Sequence, residues 1–355
     1  MEKIEIAGRL IGSGYPPYLI AELSANHNGK LENAVRIIEE AKKAGADAVK
    51  LQTYTPDTIT IKSEKDDFTV RGGLWDGKTL HELYQEAHLP WDWHETIFEH
   101  GRKTGITVFS SVFDSTSVDF LEDLGTPAYK IASFEAIDLP LIKYAAATRK
   151  PMIISTGMAD ADEISEAIEA ARLGGCTNLA ILHCVSGYPA PPEDYNLRTI
   201  PDMIRRFNLV TGLSDHTLDN TTALASVALG ASIIEKHFTL DRDGGGPDDS
   251  FSLEPPELAS LSADIKTAWS ALGKIDYGQK SSEKGNKKFR RSLYFVKDVT
   301  VGEKITSDAV RSIRPGFGMP PKAIDSVIGR RVVRSVQRGE PVTEDCLAPI
   351  MNRLQ

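Results

Sequence analysis

Apolar runs of four to six residues recur through residues 18–237, and most are followed by a segment with helical spacing. Each run is apolar on both faces rather than alternating, as expected of strands covered on both sides of a parallel sheet. The runs predict strands over 18–22, 48–52, 107–110, 128–131, 152–155, 179–183, 209–213 and 232–237. The clearest helix is residues 31–44, where Ala34, Ile37, Ile38 and Ala41 share one face and Gly45 follows as a stop. Residues 162–173, 221–229 and 256–272 repeat the pattern. Eight strand-then-helix units imply an α/β fold, a (β/α)8 TIM barrel over residues 1–278. A doubly wound open sheet is the rival, disfavoured because chemistry-bearing residues continue to the last unit.

Two segments break the rhythm. Residues 56–90 form an insertion after the second strand, with Gly72-Gly73 and the ring-bearing residues Trp75, His81 and Tyr84. A rim loop of that length usually covers a site. Residues 279–291 turn polar and read as a linker. Beyond it, residues 292–355 form a small second domain with strands expected over 293–296, 310–313 and 329–333. Its loop Arg314-Pro315-Gly316-Phe317-Gly318-Met319-Pro320-Pro321 cannot be helical.

Charge narrows the partners. The net charge is −9, which argues against a nucleic-acid surface. Residues 293–355 carry +3, leaving residues 1–292 at −12. An acidic barrel that binds an anion must therefore concentrate positive charge locally. No apolar run reaches membrane-spanning length, and Met1-Glu2-Lys3-Ile4-Glu5 lacks a signal pattern. Three widely spaced cysteines, Cys176, Cys184 and Cys346, fit reduced thiols, so a cytoplasmic location is expected.

Strand ends then become the places to look, because α/β barrels carry their chemistry at the carboxyl-end rim. His216 follows the seventh predicted strand and His237 closes the eighth. If those strands are neighbours, two imidazoles can hold a borderline divalent metal such as manganese, with magnesium or cobalt as alternatives. Lys50 and Lys130, ending strands two and four, can supply positive charge to an anionic substrate. Glu22, Glu235 and Asp248 are carboxylates placed to stabilise a cation or carry protons. Asn26, Asn28 and Tyr188 can bind hydroxyl or acylamino groups. Cys184 is not expected to be a nucleophile, since no base is evident beside it.

The block Ile20-Ala21-Glu22-Leu23-Ser24-Ala25-Asn26-His27-Asn28-Gly29, with Val49-Lys50-Leu51-Gln52-Thr53, Tyr129-Lys130-Ile131-Ala132-Ser133, Glu235-Lys236-His237-Phe238-Thr239 and Ser252-Leu253-Glu254-Pro255, resembles the nonulosonic (sialic) acid synthase family over essentially the whole chain. The resemblance implies a transferase that condenses phosphoenolpyruvate with an open-chain acylamino sugar and releases phosphate, using a divalent metal. It implies an antifreeze-like SAF domain over residues 292–355 that reaches the partner's active site in a domain-swapped homodimer, with Arg314 contacting the sugar's acylamino group. It also implies that Ser111, Ser133, Ser155, Ser186 and Ser214 line the phosphoenolpyruvate pocket. Ser186 stands where sialic acid synthases have Asn. Leu23-Ser24-Ala25, Gly187-Tyr188-Pro189-Ala190 and Asp249-Ser250-Phe251 resemble the branch of the family that makes pseudaminic acid. Competing expectations are a sialic or legionaminic acid synthase, a metal-dependent pyruvate aldolase, and a non-catalytic sugar-binding protein on the same fold.

Overall fold

In the computed structural model, residues 3–349 are described. The chain divides into two compact units, Met1–Gly273 and Lys274–Gln355.

The first unit opens with a hairpin that the apolar pattern did not reveal, β1 (Ile4–Ile6) paired antiparallel with β2 (Arg9–Ile11). Its turn has positive φ at both Ala7 (47°) and Gly8 (81°), the requirement of a tight hairpin turn. Eight parallel strands follow: β3 (Tyr18–Glu22), β4 (Ala48–Thr53), β5 (Thr107–Val112), β6 (Tyr129–Ile131), β7 (Met152–Ser155), β8 (Leu179–Cys184), β9 (Val210–Asp215) and β10 (Ile233–His237). They close in chain order, with β10 pairing both β9 and β3. The expected barrel is therefore present, with strand limits shifted by no more than two residues.

Residues alternate between two cores. Outward positions such as Leu19, Val49, Leu213 and Ile234 pack with the helices, including Ile37, Ile38 and Ala41 of Leu31–Ala44. Inward positions at the amino-terminal end of the strands, among them Ile20, Ala48, Phe109, Ile153 and Ile233, pack with Ile4, Ile6 and Ile11. The hairpin thus plugs one end of the barrel with apolar side chains, leaving the carboxyl ends for polar ones.

The insertion is not a bare loop. It contains helices Pro56–Ile59 and Leu80–Ala87, and residues 69 and 79 bridge to form a short hairpin between them. Thr79 and Glu82 cap the second helix reciprocally, Glu82 N–H donating to Thr79 Oγ1 and Thr79 N–H to Glu82 Oε2. No helix among the described residues is long and apolar enough to cross a membrane.

The second unit holds β11 (Ser292–Phe295) antiparallel to β12 (Val310–Ile313), over a core that includes Leu293, Phe295, Val310 and Val342. The strand expected over 329–333 does not form. Arg331 bridges Lys304 while Val332 bridges Leu347, so adjacent residues pair with different segments and no ladder develops. The segment expected to be a linker contains 3₁₀ turns over Ser281–Phe289, with no buried residue.

Candidate active site

At the carboxyl ends of β3, β4, β6 and β10 the inward positions become ionic. Glu22, Lys50, Lys130 and Glu235 are all buried. Lys50 Nζ lies 2.5 Å from Glu22 Oε2 and 3.5 Å from Glu235 Oε1, and Lys130 Nζ lies 3.7 Å from the same Glu235 oxygen. Opposite charges thus lie side by side away from bulk water, which is what allows them to be buried. The lysines are completed by serines: Lys50 donates to Ser111 Oγ at 3.1 Å and Lys130 to Ser155 Oγ at 2.7 Å. Ser214 Oγ donates to Glu235 at 3.1 Å.

The two carboxylates differ. Burial pushes Glu22 up to about 7, although Lys50 opposes the shift. Burial acts on Glu235 too, but Lys130 and Lys50 outweigh it and hold its pKa below the ordinary value. One therefore exchanges a proton near neutrality while the other stays ionised. The second oxygen of Glu235 has no hydrogen-bond partner. Gln52 ties this cluster outward, its Nε2 donating to Glu22 Oε1 at 3.1 Å and Ser24 Oγ at 3.0 Å. Ser24 Oγ in turn donates to Asp248.

Register brings the two histidines together. Lys236 pairs with Asp215, so His216 and His237 leave neighbouring strands at one level, with ring centroids 5.4 Å apart. His216 Nδ1 is 2.8 Å from the Val185 carbonyl and must donate to it. In the neutral ring this leaves Nε2 as a lone pair. His237 Nδ1 is buried without a hydrogen-bond partner, 3.9 Å from Asp248 Oδ2. Burial, with His216 and the lysines nearby, pulls His237 well below its usual pKa. Burial also acts against the cation at His216, but hydrogen bonding to Cys184 prevails and raises its pKa. The Cys184 thiol is buried, yet contact with His216 lowers it. The expectation that Cys184 has no base beside it is therefore corrected: the strand ends of β8 and β9 adjoin.

Lys236 points away from the mouth. It pairs with Asp215 at 3.0 Å and donates to the carbonyls of Thr217 at 2.8 Å and Asp219 at 2.7 Å, clamping the loop that carries His216.

Around the ionic cluster the remaining expected residues fall into three groups. Ser133 and Ser186 converge on Gly157, whose N–H donates to Ser133 Oγ at 3.1 Å. A Cβ at Gly157 would lie 2.3 Å from Ser186 Oγ, so only glycine permits this cradle, and Ser186 Oγ has no partner. Tyr188 stands over the histidines, 4.4 Å from the His216 ring and 6.1 Å from that of His237. Asn26 and Asn28 tie rim loops together through their amide nitrogens, while each Oδ1 is buried without a partner. Asn26 Nδ2 donates to Phe238 O at 2.9 Å and Ser252 Oγ at 2.8 Å, and Asn28 Nδ2 to Asp249 at 2.8 Å. His27 is held at both ring nitrogens. Its Nδ1 accepts from Gly29 N–H at 3.1 Å, its Nε2 faces the Ala87 carbonyl at 3.4 Å, and burial pushes its pKa down to about 4.

Sequence reasoning did not single out Glu135, Gln52 or Gly157. Glu135 is half-buried two residues after Ser133, with one carboxylate oxygen unpartnered, and burial raises it to about 7. Their common signal is position within a few residues of a strand end. In the second unit, Arg314 is exposed on the loop after β12. That loop is pinned by Ser292 Oγ, which donates to Pro315 O at 2.6 Å and accepts from Gly318 N–H at 3.0 Å.

This mouth, with its paired lysines, carboxylates and histidines on a closed barrel, has close counterparts. Residues 37–277 match the NeuB family, and residues 290–348 match the SAF domain. The chain belongs to the NeuB family. Among similar NeuB-family proteins is the pseudaminic acid synthase of Campylobacter jejuni, 43% identical over 329 residues, covering 92% of this chain and 95% of that one. Another is the pseudaminic acid synthase of Helicobacter pylori, 41% identical, covering 93% and 97%. The crystal structure of the spore coat polysaccharide biosynthesis protein SpsE of Bacillus subtilis matches with TM-score 0.67 and 33% identity, covering 98% of this chain and 99% of that one. The NeuB-family barrel and the C-terminal SAF domain were both expected from the sequence.

Proposed function

We propose that this protein is a pseudaminic acid synthase. It joins C3 of phosphoenolpyruvate to the aldehyde carbon of open-chain 2,4-diacetamido-2,4,6-trideoxy-altrose, water adds at C2, and phosphate leaves. The observation that carries this reading is the 41–43% identity to pseudaminic acid synthases over more than nine-tenths of the chain, together with the mouth described above.

The geometry supports the following roles. Lys50 and Lys130 receive the phosphate and carboxylate of phosphoenolpyruvate, exchanging their present carboxylate partners for the substrate's. The hydroxyls of Ser111, Ser133, Ser155, Ser186 and Ser214 and the Gly157 N–H supply neutral donors around it. Glu235, kept ionised, stabilises the cationic centre that forms at C2. Glu22, titrating near neutrality, carries the proton exchanged with the sugar oxygen or the attacking water.

His216 and His237 fit a divalent cation, manganese being the preferred ion. The Nδ1–H of His216 is held by the Val185 carbonyl, so its Nε2, which now faces the Cys184 thiol, is the nitrogen that would turn to an ion, and His237 has a buried nitrogen without a partner. No group of three or more such ligands occurs among the described residues, so the rest of the shell would come from water and substrate. Such an ion would polarise the aldehyde for attack. A homodimer in which Arg314 of one subunit binds the acylamino group in the other's barrel belongs to the same proposal, as does a cytoplasmic location, which the free thiols Cys176, Cys184 and Cys346 support.

The test is product analysis. On incubation with phosphoenolpyruvate, manganese and each of three sugars, the diacetamido altrose, its legionaminic isomer and N-acetylmannosamine, the first should be used with the highest catalytic efficiency, giving pseudaminic acid and phosphate. A higher efficiency with either other sugar would reassign the substrate, and pyruvate use without phosphate release would overturn the reading.

A further inference from the structure

The insertion delivers one large side chain to the site. Trp75 sits at the tip of the short hairpin, which is held by Val70 N–H to Lys78 O at 2.9 Å and Gly77 N–H to Val70 O at 3.0 Å. Its indole Nε1–H donates to the carbonyl of Pro247 at 3.1 Å. Its ring centroid is 6.0 Å from that of Tyr188. Tyr188 is 5.4 Å from Phe251, and Phe251 is 5.0 Å from His237. Three rings therefore run outward from the histidine pair, and Trp75, contributed by a segment far away in sequence, forms the outer end. The contact with Pro247 falls one residue before Asp248, so the ring and a carboxylate of the site hang from one loop.

We propose that Trp75 is a sugar-selecting residue. With Tyr188 and Phe251 it forms an aromatic wall for the substituents remote from the aldehyde, and it favours a methyl or acetamido group there over free hydroxyls. This rests on the function proposed above, which puts the aldehyde at the histidines. A six-carbon chain that starts there runs outward along the rings, bringing its fourth to sixth carbons toward Trp75. The diacetamido altrose carries an acetamido group and a methyl at these positions, whereas N-acetylmannosamine carries hydroxyls. Aromatic faces accept the former and leave the latter without hydrogen-bond partners. The indole is already oriented by Pro247, so little freedom remains to be lost on binding.

The experiment compares wild type with Trp75→Ala and Trp75→Phe, the latter keeping a ring while losing the donor. Trp269→Phe, whose indole bonds Ser13 O, serves as a control. Trp75→Ala should lower kcat/KM for the diacetamido altrose about 10–100-fold while changing that for N-acetylmannosamine far less. KM for phosphoenolpyruvate should stay within about twofold, and Trp75→Phe should fall between. Equal losses for both sugars, or an unchanged preference, would overturn the proposal. A second readout does not need turnover. Titrating wild type with the diacetamido altrose alone should give a saturable change in tryptophan fluorescence, kept in Trp269→Phe and lost in Trp75→Phe. No change, or one that survives in Trp75→Phe, also overturns it. If wild type converts none of the sugars, the function proposed above fails, and the titration still decides whether Trp75 meets this sugar.

Discussion

Ile20 and Glu22 lie two residues apart on β3, point into the same barrel, and are both buried. Ile20 belongs to the apolar plug with Ile4, Ile6 and Ile11; Glu22 is paired with Lys50. The same step recurs from Ala48 to Lys50, from Phe109 to Ser111, from Ala128 to Lys130 and from Ile233 to Glu235. The two layers are equally shielded from water and do opposite work. The lower gains free energy from every contact it makes. The upper satisfies charges that would cost less if replaced by apolar groups of the same shape. Burial alone therefore does not separate function from stability in a barrel interior. Unpartnered buried atoms mark the upper layer at Glu235, His237 and Ser186, but not that layer alone, since the Tyr18 hydroxyl of the plug also lacks a partner.

Four measurements would break or sharpen that contrast. The largest effect is expected at His237. Replacing it by Ala removes several kcal/mol of transition-state stabilisation, so turnover should fall about 10³-fold or more. Manganese binding measured by calorimetry should weaken, and melting temperature should hold. Mixing this variant with Arg314→Ala should restore activity if the arginine acts across subunits; no recovery after proven subunit exchange would place it in its own barrel. Next is Ile6→Ala in the plug, which should cost about 2–5 kcal/mol in denaturant unfolding with KM for phosphoenolpyruvate unchanged. A change in KM without a loss of stability would erase the distinction between layers.

Third, Lys50→Met should weaken phosphoenolpyruvate binding by about 1.5–3 kcal/mol, as read by calorimetry. The smallest effect is the pH dependence set by Glu22. Below about 7 its carboxyl is protonated, and Lys50 is free for the substrate's anion. As pH rises through that value the ionised carboxylate competes, so affinity for phosphoenolpyruvate should fall. Glu22→Gln should flatten that profile between pH 6 and 8, and a profile left unchanged would show that another group sets it.

Much of this was legible from the residues in order. Strand ends place chemistry, and hydrophobic runs mark strands, so His216, His237, Lys50, Lys130, Glu22 and Glu235 could be brought to one rim before any coordinates. The hairpin at the amino end was not legible, because its strands are three residues long and its turn is Ala7-Gly8 rather than an Asn-Gly or Asp-Gly pair. The helix Leu80–Ala87 could have been found from Thr79 and Glu82, a capping signature three residues apart. Asn26 and Asn28 show a further limit. A polar residue beside a site looks alike in sequence whether it meets a substrate or holds a loop, and here each amide nitrogen holds a loop while its oxygen has no partner. Glu135 and Gly157 were hidden because their roles depend on neighbours from other strands.

Glu235, Lys236 and His237 are consecutive, and β10 sends the first and last into the mouth and the middle one into the surrounding layer, where it clamps the His216 loop. Three neighbouring codons therefore serve two compartments. Gaining or losing one residue within this strand would exchange the sets, placing an ammonium where the carboxylate and imidazole belong and those two among the helices. Substitution can tune this segment one position at a time, but a change in its length cannot be tolerated. Variation in length should instead collect in the insertion after β4, where the ladder of the barrel is not at stake.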